Sequence, residues 1–209
     1  QELLQDAVCR LQAVLDLPLQ IDTSDPVAME AALRRYNGKA MINSVSGKPE
    51  SMDAVFPLVK KYGGLVVALT LDETGIPATA EGRLEIAKRI LTEAENRGIP
   101  KKDILFDPLA LTISADPQAA VETLKAVQLI RKELGCHTIL GVSNISFGLP
   151  NRDFVTSTFF AMALENGLSA AIMNPHYADM MKTYYAYRAL HGYDENCADY
   201  INFASNFIP

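Results

Sequence analysis

The strongest constraint on how this chain can fold is an alternation. Short apolar runs that end in polar residues are each followed by a longer stretch of 3.6-residue apolar periodicity. Six runs read as strands, at residues 19–23, 39–44, 65–70, 104–107, 138–143 and 170–174. The run Leu65-Val66-Val67-Ala68-Leu69 has no polar position, which fits a parallel strand buried on both faces rather than an antiparallel strand with one wet face. A sheet covered on both sides is therefore expected. Residues 81–97 and 117–134 read as helices with acidic starts, and Gly98 and Gly135 stand just past their ends. Residues 2–16 read as an opening helix. Asp25-Pro26 and Asp116-Pro117 each put a capping carboxylate before a proline at the first helical position.

Repeated strand-helix units suit a doubly wound sheet or a (β/α)8 barrel of the TIM type. No Gly-x-Gly-x-x-Gly follows any strand, and Gly38 to Gly47-Lys48 lacks the spacing and the Ser/Thr of a phosphate loop. The barrel is the better reading. The chain opens on a helix and supplies six strands, so the first two βα units are expected to be missing. Residues 1–209 then form a single barrel domain, incomplete at its N-terminus. A sheet edge left open in this way invites pairing with another chain, a second copy included.

Bulk properties exclude several classes of function. With 209 residues, 49% hydrophobic and 21% charged, the chain has apolar material for one globular core. A net charge of −6 and a pI near 5.1 leave no basic surface for nucleic acid. Cys9, Cys136 and Cys197 are too far apart for a zinc or redox pair and read as free thiols. No run of about 18 apolar residues and no export signal is present. No membrane partner is implied, and the expected compartment is the cytoplasm.

In a barrel the site lies at the C-terminal ends of the strands, and those ends are unusually polar here. They carry Asp22, Asn43, Thr70 with Asp72, Asp107, Asn144 and Asn174. Carboxylates and amides converging on one rim would match an uncharged heterocycle rich in N–H donors and carbonyl acceptors. One Asp or Asn at a strand end is commonly a helix cap. Asp25 and Asp116 are the better cap candidates, which leaves Asp22 and Asp107 without a structural duty.

Five strings taken in order, Asp22-Thr23-Ser24, Met41-Ile42-Asn43-Ser44, Thr74-Gly75-Ile76-Pro77, Asp107-Pro108-Leu109 and Gly141-Val142-Ser143-Asn144-Ile145-Ser146, resemble one family. It is the methyltetrahydrofolate-binding domain of cobalamin-dependent methionine synthase and of methyltetrahydrofolate:corrinoid methyltransferases. The resemblance runs from about residue 19 to residue 174. It implies a (β/α)8 barrel, 5-methyltetrahydrofolate as methyl donor, and pterin contacts at Asp22, Asn43, Asp107 and Asn144. Asp107 would meet the amino-pyrimidine edge, Asp22 and Asn43 other ring nitrogens and the carbonyl, and Asn144 the N5 atom. Asn144 would thus be the catalytic residue. Arg152 also matches a family position near the site; a helix-start arginine paired with Asp153 is its structural alternative.

The cobalamin signature Asp-x-His-x-x-Gly is absent around His137, His176 and His191, so the corrinoid (cobalamin) is expected on another domain or protein. No metal site is expected. Dihydropteroate synthase is the nearest rival enzyme, but the lysine of its Ser-x-Lys loop is replaced here by Ser143-Asn144-Ile145-Ser146, and Arg188-Ala189-Leu190-His191 does not reproduce its Arg-x-His. A non-catalytic pterin-binding fragment is the rival from another class. Tyr177, Tyr184, Tyr185 and Tyr187 read either as a partner surface or as helical packing.

Overall fold

A computed structural model describes residues 1–206. Its strands are β1 (Gln20–Asp22), β2 (Met41–Ser46), β3 (Leu65–Leu69), β4 (Ile104–Asp107), β5 (His137–Gly141) and β6 (Ala170–Ile172). Its helices are α1 (Glu2–Gln12), α2 (Pro26–Leu33), α3 (Pro49–Tyr62), α4 (Ala80–Asn96), α5 (Ala119–Leu129), α6 (Arg152–Glu165), α7 (Ala178–Leu190) and α8 (Ala198–Asn206). The strands lie side by side in chain order, every neighbouring pair parallel. Sequential order removes the doubly wound alternative, which needs a reversal of strand order. The described residues form a parallel half-barrel.

The packing explains the apolar strands in a way the sequence reading did not. Ile21, Ile42, Val45, Val66, Ala68, Ile104 and Phe106 face outward and bury against the helices, with Met29, Phe56 and Ile90 among their partners. A second cluster joins Leu140 and Val142 to α5, α6 and α7. The alternate side chains Val67, Leu105 and Ile139, flanked by Met41, Leu65, Leu69 and Ala170, form a cluster made of strand residues alone. Helices therefore cover one face only. The expectation of a sheet covered on both sides is corrected: the other face carries a cluster of strand side chains alone, as the interior of a barrel does.

Element ends differ from the sequence reading where side chains intervene. α1 stops at Gln12, and the Gln12 side chain then ties to the carbonyl of Arg35 and the amide of Asn37. Asp25 caps α2, its carboxylate accepting from the Val27 amide at 2.9 Å. Asp116 is not the cap of α5. Its carboxylate accepts from the Gln118 amide in a turn one step earlier, and the helix opens at Ala119. At the far end of α5, residues Ile130–Leu134 widen into a π turn that closes at Gly135, where φ is 60°. β5 ends at Gly141 because Val142–Ser146 coil into a 3-10 turn.

The tyrosines on and before α7 settle as packing where contacts exist. Tyr185 stacks on Phe203 of α8 at 4.4 Å, and Tyr187 packs on His191 at 4.2 Å. His191 in turn pairs with Glu165 at 2.8 Å. The three cysteines are free thiols, with Cys136 buried. Among the described residues, no helix is long and apolar enough to cross a membrane.

The capping of α2 can be tested by itself. Asp25→Ala is expected to lower stability by about 1 kcal/mol in urea denaturation, and Asp25→Asn by only a fraction of that. Equal midpoints for wild type and Asp25→Ala would remove the cap.

Candidate functional site

Strand register decides which polar side chains share a face. Gln20 pairs with Met41, and Asp22 with Asn43; Asn43 pairs with Val67, Val67 with Leu105, and Leu69 with Asp107. Side chains alternate along a strand, so Asp22, Asn43 and Asp107 share the concave face with Met41, Val67 and Leu105. All three stand at its C-terminal edge. The Asn43 side-chain amide donates to Asp22 Oδ2 at 3.1 Å, and among the described residues its carbonyl oxygen has no partner. Asp22 is exposed and Asn43 half-buried.

Asp107 is the buried member of the group, at 8% exposure. Its backbone carbonyl accepts from the Thr70 amide at 3.0 Å, which pins the end of β4 to the end of β3. Its Oδ1 accepts from the Leu109 amide at 2.8 Å, and among the described residues Oδ2 has no hydrogen-bond partner. Asp107 is thus not free of structural duty, since one oxygen closes a turn. Burial pushes its carboxyl up to about 7, against the opposing pull of the Leu109 amide and the Arg83 charge. A carboxyl with one oxygen spare and little water around it is poised to accept donors from a ligand.

Asn144 sits beyond β5 on the 3-10 turn, exposed and with no side-chain hydrogen bond among the described residues. The absence of a side chain at Gly141 makes room for it: a Cβ there would lie 3.1 Å from Asn144 Nδ2. Arg152, at the start of α6, does not pair with Asp153. Its guanidinium donates to the Ser143 carbonyl at 2.6 Å and to Ser146 Oγ at 3.0 Å, and it lies over the Phe147 ring at 4.4 Å. Arg152 therefore braces the turn that carries Asn144. It also lines a cavity with Ser143, Phe147, Thr156, Tyr177 and Met180.

Other polar strand ends serve structure. Asp72 binds the amide and hydroxyl of Thr74 and pairs with Arg89 at 3.2 Å. Asn174 accepts from the His176 amide at 2.9 Å. One residue that the sequence reading passed over is Arg83, wholly buried on α4 and bonded to the loop that follows Asp107. Its signal was present: Arg83 lies four residues before Ala87 and seven before Ile90, in line with the buried face of an amphipathic helix.

A fold of this kind has relatives of known structure. Dihydropteroate synthase of Xanthomonas albilineans, solved with 7,8-dihydropteroate, superposes with a TM-score of 0.66 at 21% identity over 90% of this chain and 74% of that one. The Yersinia pestis dihydropteroate synthase gives 0.69 at 14% identity, covering 90% and 78%. Likeness at this identity establishes the fold alone. Sequence relatives are nearer. The chain is 32% identical to the methylcorrinoid:tetrahydrofolate methyltransferase of Eubacterium limosum, covering 91% of this chain and 71% of that protein. It is 35% identical to the methionine synthase of Mycobacterium tuberculosis over 79% of this chain, which spans 15% of that much longer protein. The family model described as pterin binding enzyme matches residues 2–174, reaching further toward the N-terminus than the strings that first suggested it. The chain belongs to the pterin binding enzyme family, in the branch that comprises the methyltetrahydrofolate-binding domains of cobalamin-dependent methionine synthase and the methyltetrahydrofolate:corrinoid methyltransferases.

Proposed function

We propose that the chain binds 5-methyltetrahydrofolate on the C-terminal rim of its concave face and enables transfer of the N5 methyl group to cob(I)alamin or a corrinoid protein. One observation carries the reading: Asp22, Asn43 and Asp107 share that rim, and the largely buried Asp107 keeps a carboxylate oxygen that has no hydrogen-bond partner among the described residues. The family membership supports it. In this reading Asp107 accepts from the amino-pyrimidine edge, where a charge-assisted pair of N–H donors is the strongest single anchor available. Asp22 and Asn43 hold the remaining ring nitrogens and the carbonyl. The pterin is fixed before the chemistry begins, which is the positional part of the catalysis.

Departure of the methyl group leaves electron density on N5, a poor leaving group unless it gains a proton or a strong hydrogen bond. Asn144 is assigned to N5 because its amide can donate or accept and, among the described residues, has no side-chain partner to give up. The proton itself reaches N5 through water. Arg152 holds the Asn144 turn from behind through Ser143 and Ser146 and lines the cavity beside it. The same constellation serves methyl transfer in either direction, since the step and its reverse share one transition state. The name of the Eubacterium limosum relative describes transfer from the corrinoid to tetrahydrofolate.

The corrinoid supplies the methyl acceptor, and this chain does not fit it as a resident group. His137 lies at the start of β5 beside Ser169, His191 is paired with Glu165, and His176, which follows β6 with its amide bonded to Asn174, lacks the Asp-x-His-x-x-Gly context of a cobalt ligand. The corrinoid therefore belongs to another domain or protein, and the chain is a methyltransferase of the folate half-reaction.

Binding and catalysis should separate on substitution. Asp107→Asn is expected to weaken 5-methyltetrahydrofolate binding in calorimetry by about 1.5–3 kcal/mol, the range for a hydrogen bond to a charged group. Asn144→Ala is expected to leave binding within a few-fold while slowing methyl transfer to free cob(I)alamin by roughly 100-fold. Unchanged affinity in Asp107→Asn would contradict the pterin site. An unchanged transfer rate in Asn144→Ala would remove that residue from the chemistry, and binding with no transfer in the wild type would favour a non-catalytic pterin-binding role.

A further inference from the structure

Arg83 is an expensive residue to place where it lies. Its side chain is 1% exposed, and among the described residues it has no ion-pair partner within reach. Burial lowers its pKa, against the opposing charges of Glu122, Asp107 and Asp116. A buried cation without a contacting acid is costly, and an apolar side chain of similar length would be the cheaper filler. What the guanidinium does is bind neutral oxygens. Its Nε donates to the Pro77 carbonyl at 3.0 Å, and its Nη1 to the carbonyls of Pro108 at 3.0 Å and Leu109 at 3.2 Å and to Thr123 Oγ1 at 3.0 Å. Thr123 Oγ1 also lies 3.1 Å from the Leu109 carbonyl.

The residue so gripped is itself unusual. Leu109 has φ of 66°, a left-handed conformation that costs a non-glycine residue about 1–2 kcal/mol and persists only where its surroundings over-determine it. On the other side of this residue, the Leu109 amide donates to Asp107 Oδ1 at 2.8 Å. The chain of contacts therefore runs from α4, through Arg83, to the Pro108–Leu109 backbone, and from there to the carboxylate.

We infer that Arg83 is a positioning residue for Asp107: by clamping the Pro108–Leu109 turn from the helix side, it fixes which carboxylate oxygen is tied to the protein and which faces the ligand. The inference rests on the reading of Asp107 as a pterin-binding residue. It assigns Arg83 a second duty as well, because its charge favours the ionised form of Asp107. The charged groups facing this pair are Glu122 on α5, whose carboxylate accepts from the Ala80 amide at 2.6 Å, and Asp116 before α5. Arg83 is the charged group acting on Asp107 itself.

The test is calorimetric binding of 5-methyltetrahydrofolate at pH values on both sides of 7 for wild type, Arg83→Met, Arg83→Lys, Thr123→Val and Asp107→Asn, each shown to melt cooperatively. In the wild type, affinity rises as pH passes upward through the Asp107 pKa of about 7 and then levels. Arg83→Met should bind about tenfold more weakly with its pH midpoint moved upward. Arg83→Lys keeps the charge and loses the fork, so it should bind more weakly with a midpoint near that of the wild type. Thr123→Val, which loosens the turn without touching the charge, should behave like Arg83→Lys and carries the test with it if Arg83→Met does not fold. Wild-type affinity and midpoint in the folded Arg83 and Thr123 variants would overturn the inference. Wild-type binding by Asp107→Asn would instead overturn the pterin reading on which it rests.

Discussion

A carboxyl group held where water scarcely reaches is the constraint on which the rest of this structure turns. The concave face is built from strand side chains alone, and Val67, Leu105 and Ile139 fill it. At its upper edge the same face has to receive Asp107, whose ionisation burial opposes. The fold meets that demand in three ways. Thr70 pins the strand end, the Leu109 amide occupies one oxygen, and Arg83 supplies a buried positive charge together with the clamp on the loop. None of these removes the need of the second oxygen for a donor. A folate pterin brings such donors, and its arrival would complete a group that the protein alone leaves half satisfied.

Two kinds of support distinguish the parts of the site. Asp22, Asn43 and Asp107 stand on strands whose register is set by hydrogen bonding along the sheet, so their spacing belongs to the scaffold. Asn144 stands on a turn, held at a distance by Arg152 through a carbonyl and a hydroxyl. Rigid residues suit ring recognition, and a side chain on a turn suits an atom whose hydrogen-bonding character changes during the reaction. The proposed division between binding and chemistry thus follows from where each residue is mounted.

Much of this was legible in the chain because it depends on local pattern. The six strands follow from apolar runs, and Asp22, Asn43 and Asp107 follow from the rule that polar residues finishing barrel strands face the site. What escaped depends on backbone conformation and on side-chain partners that apolar periodicity does not reveal. The turn that Asp107 closes with the Leu109 amide is followed by a positive φ that no sequence rule gives to leucine, and Asp116 resembles a cap because Asp-Pro usually is one. An ion pair with Asp153 is the local alternative for Arg152, whereas its partners lie six and nine residues back. Arg83 was hidden in a helix that read simply as amphipathic. The covering of the sheet was misjudged for a related reason, since apolar strands do not reveal whether helices or other strands fill the second face.

The most direct measurement of the central claim is the melting temperature of wild type and Asp107→Asn from acid to mildly alkaline pH, without ligand. Burial raises the carboxyl from 3.8 to about 7, so the folded chain holds this proton more tightly than the unfolded chain. The wild type should therefore lose stability as pH rises from about 4 through about 7, by up to the order of 4 kcal/mol, and no further above that. Asparagine has no proton to lose. The account predicts that Asp107→Asn melts near the wild type in acid, gains on it as pH rises, and stays more stable above about 7. A difference that does not change with pH, or a variant less stable in alkali, would contradict the claim that a carboxyl whose ionisation burial opposes is the centre of this site.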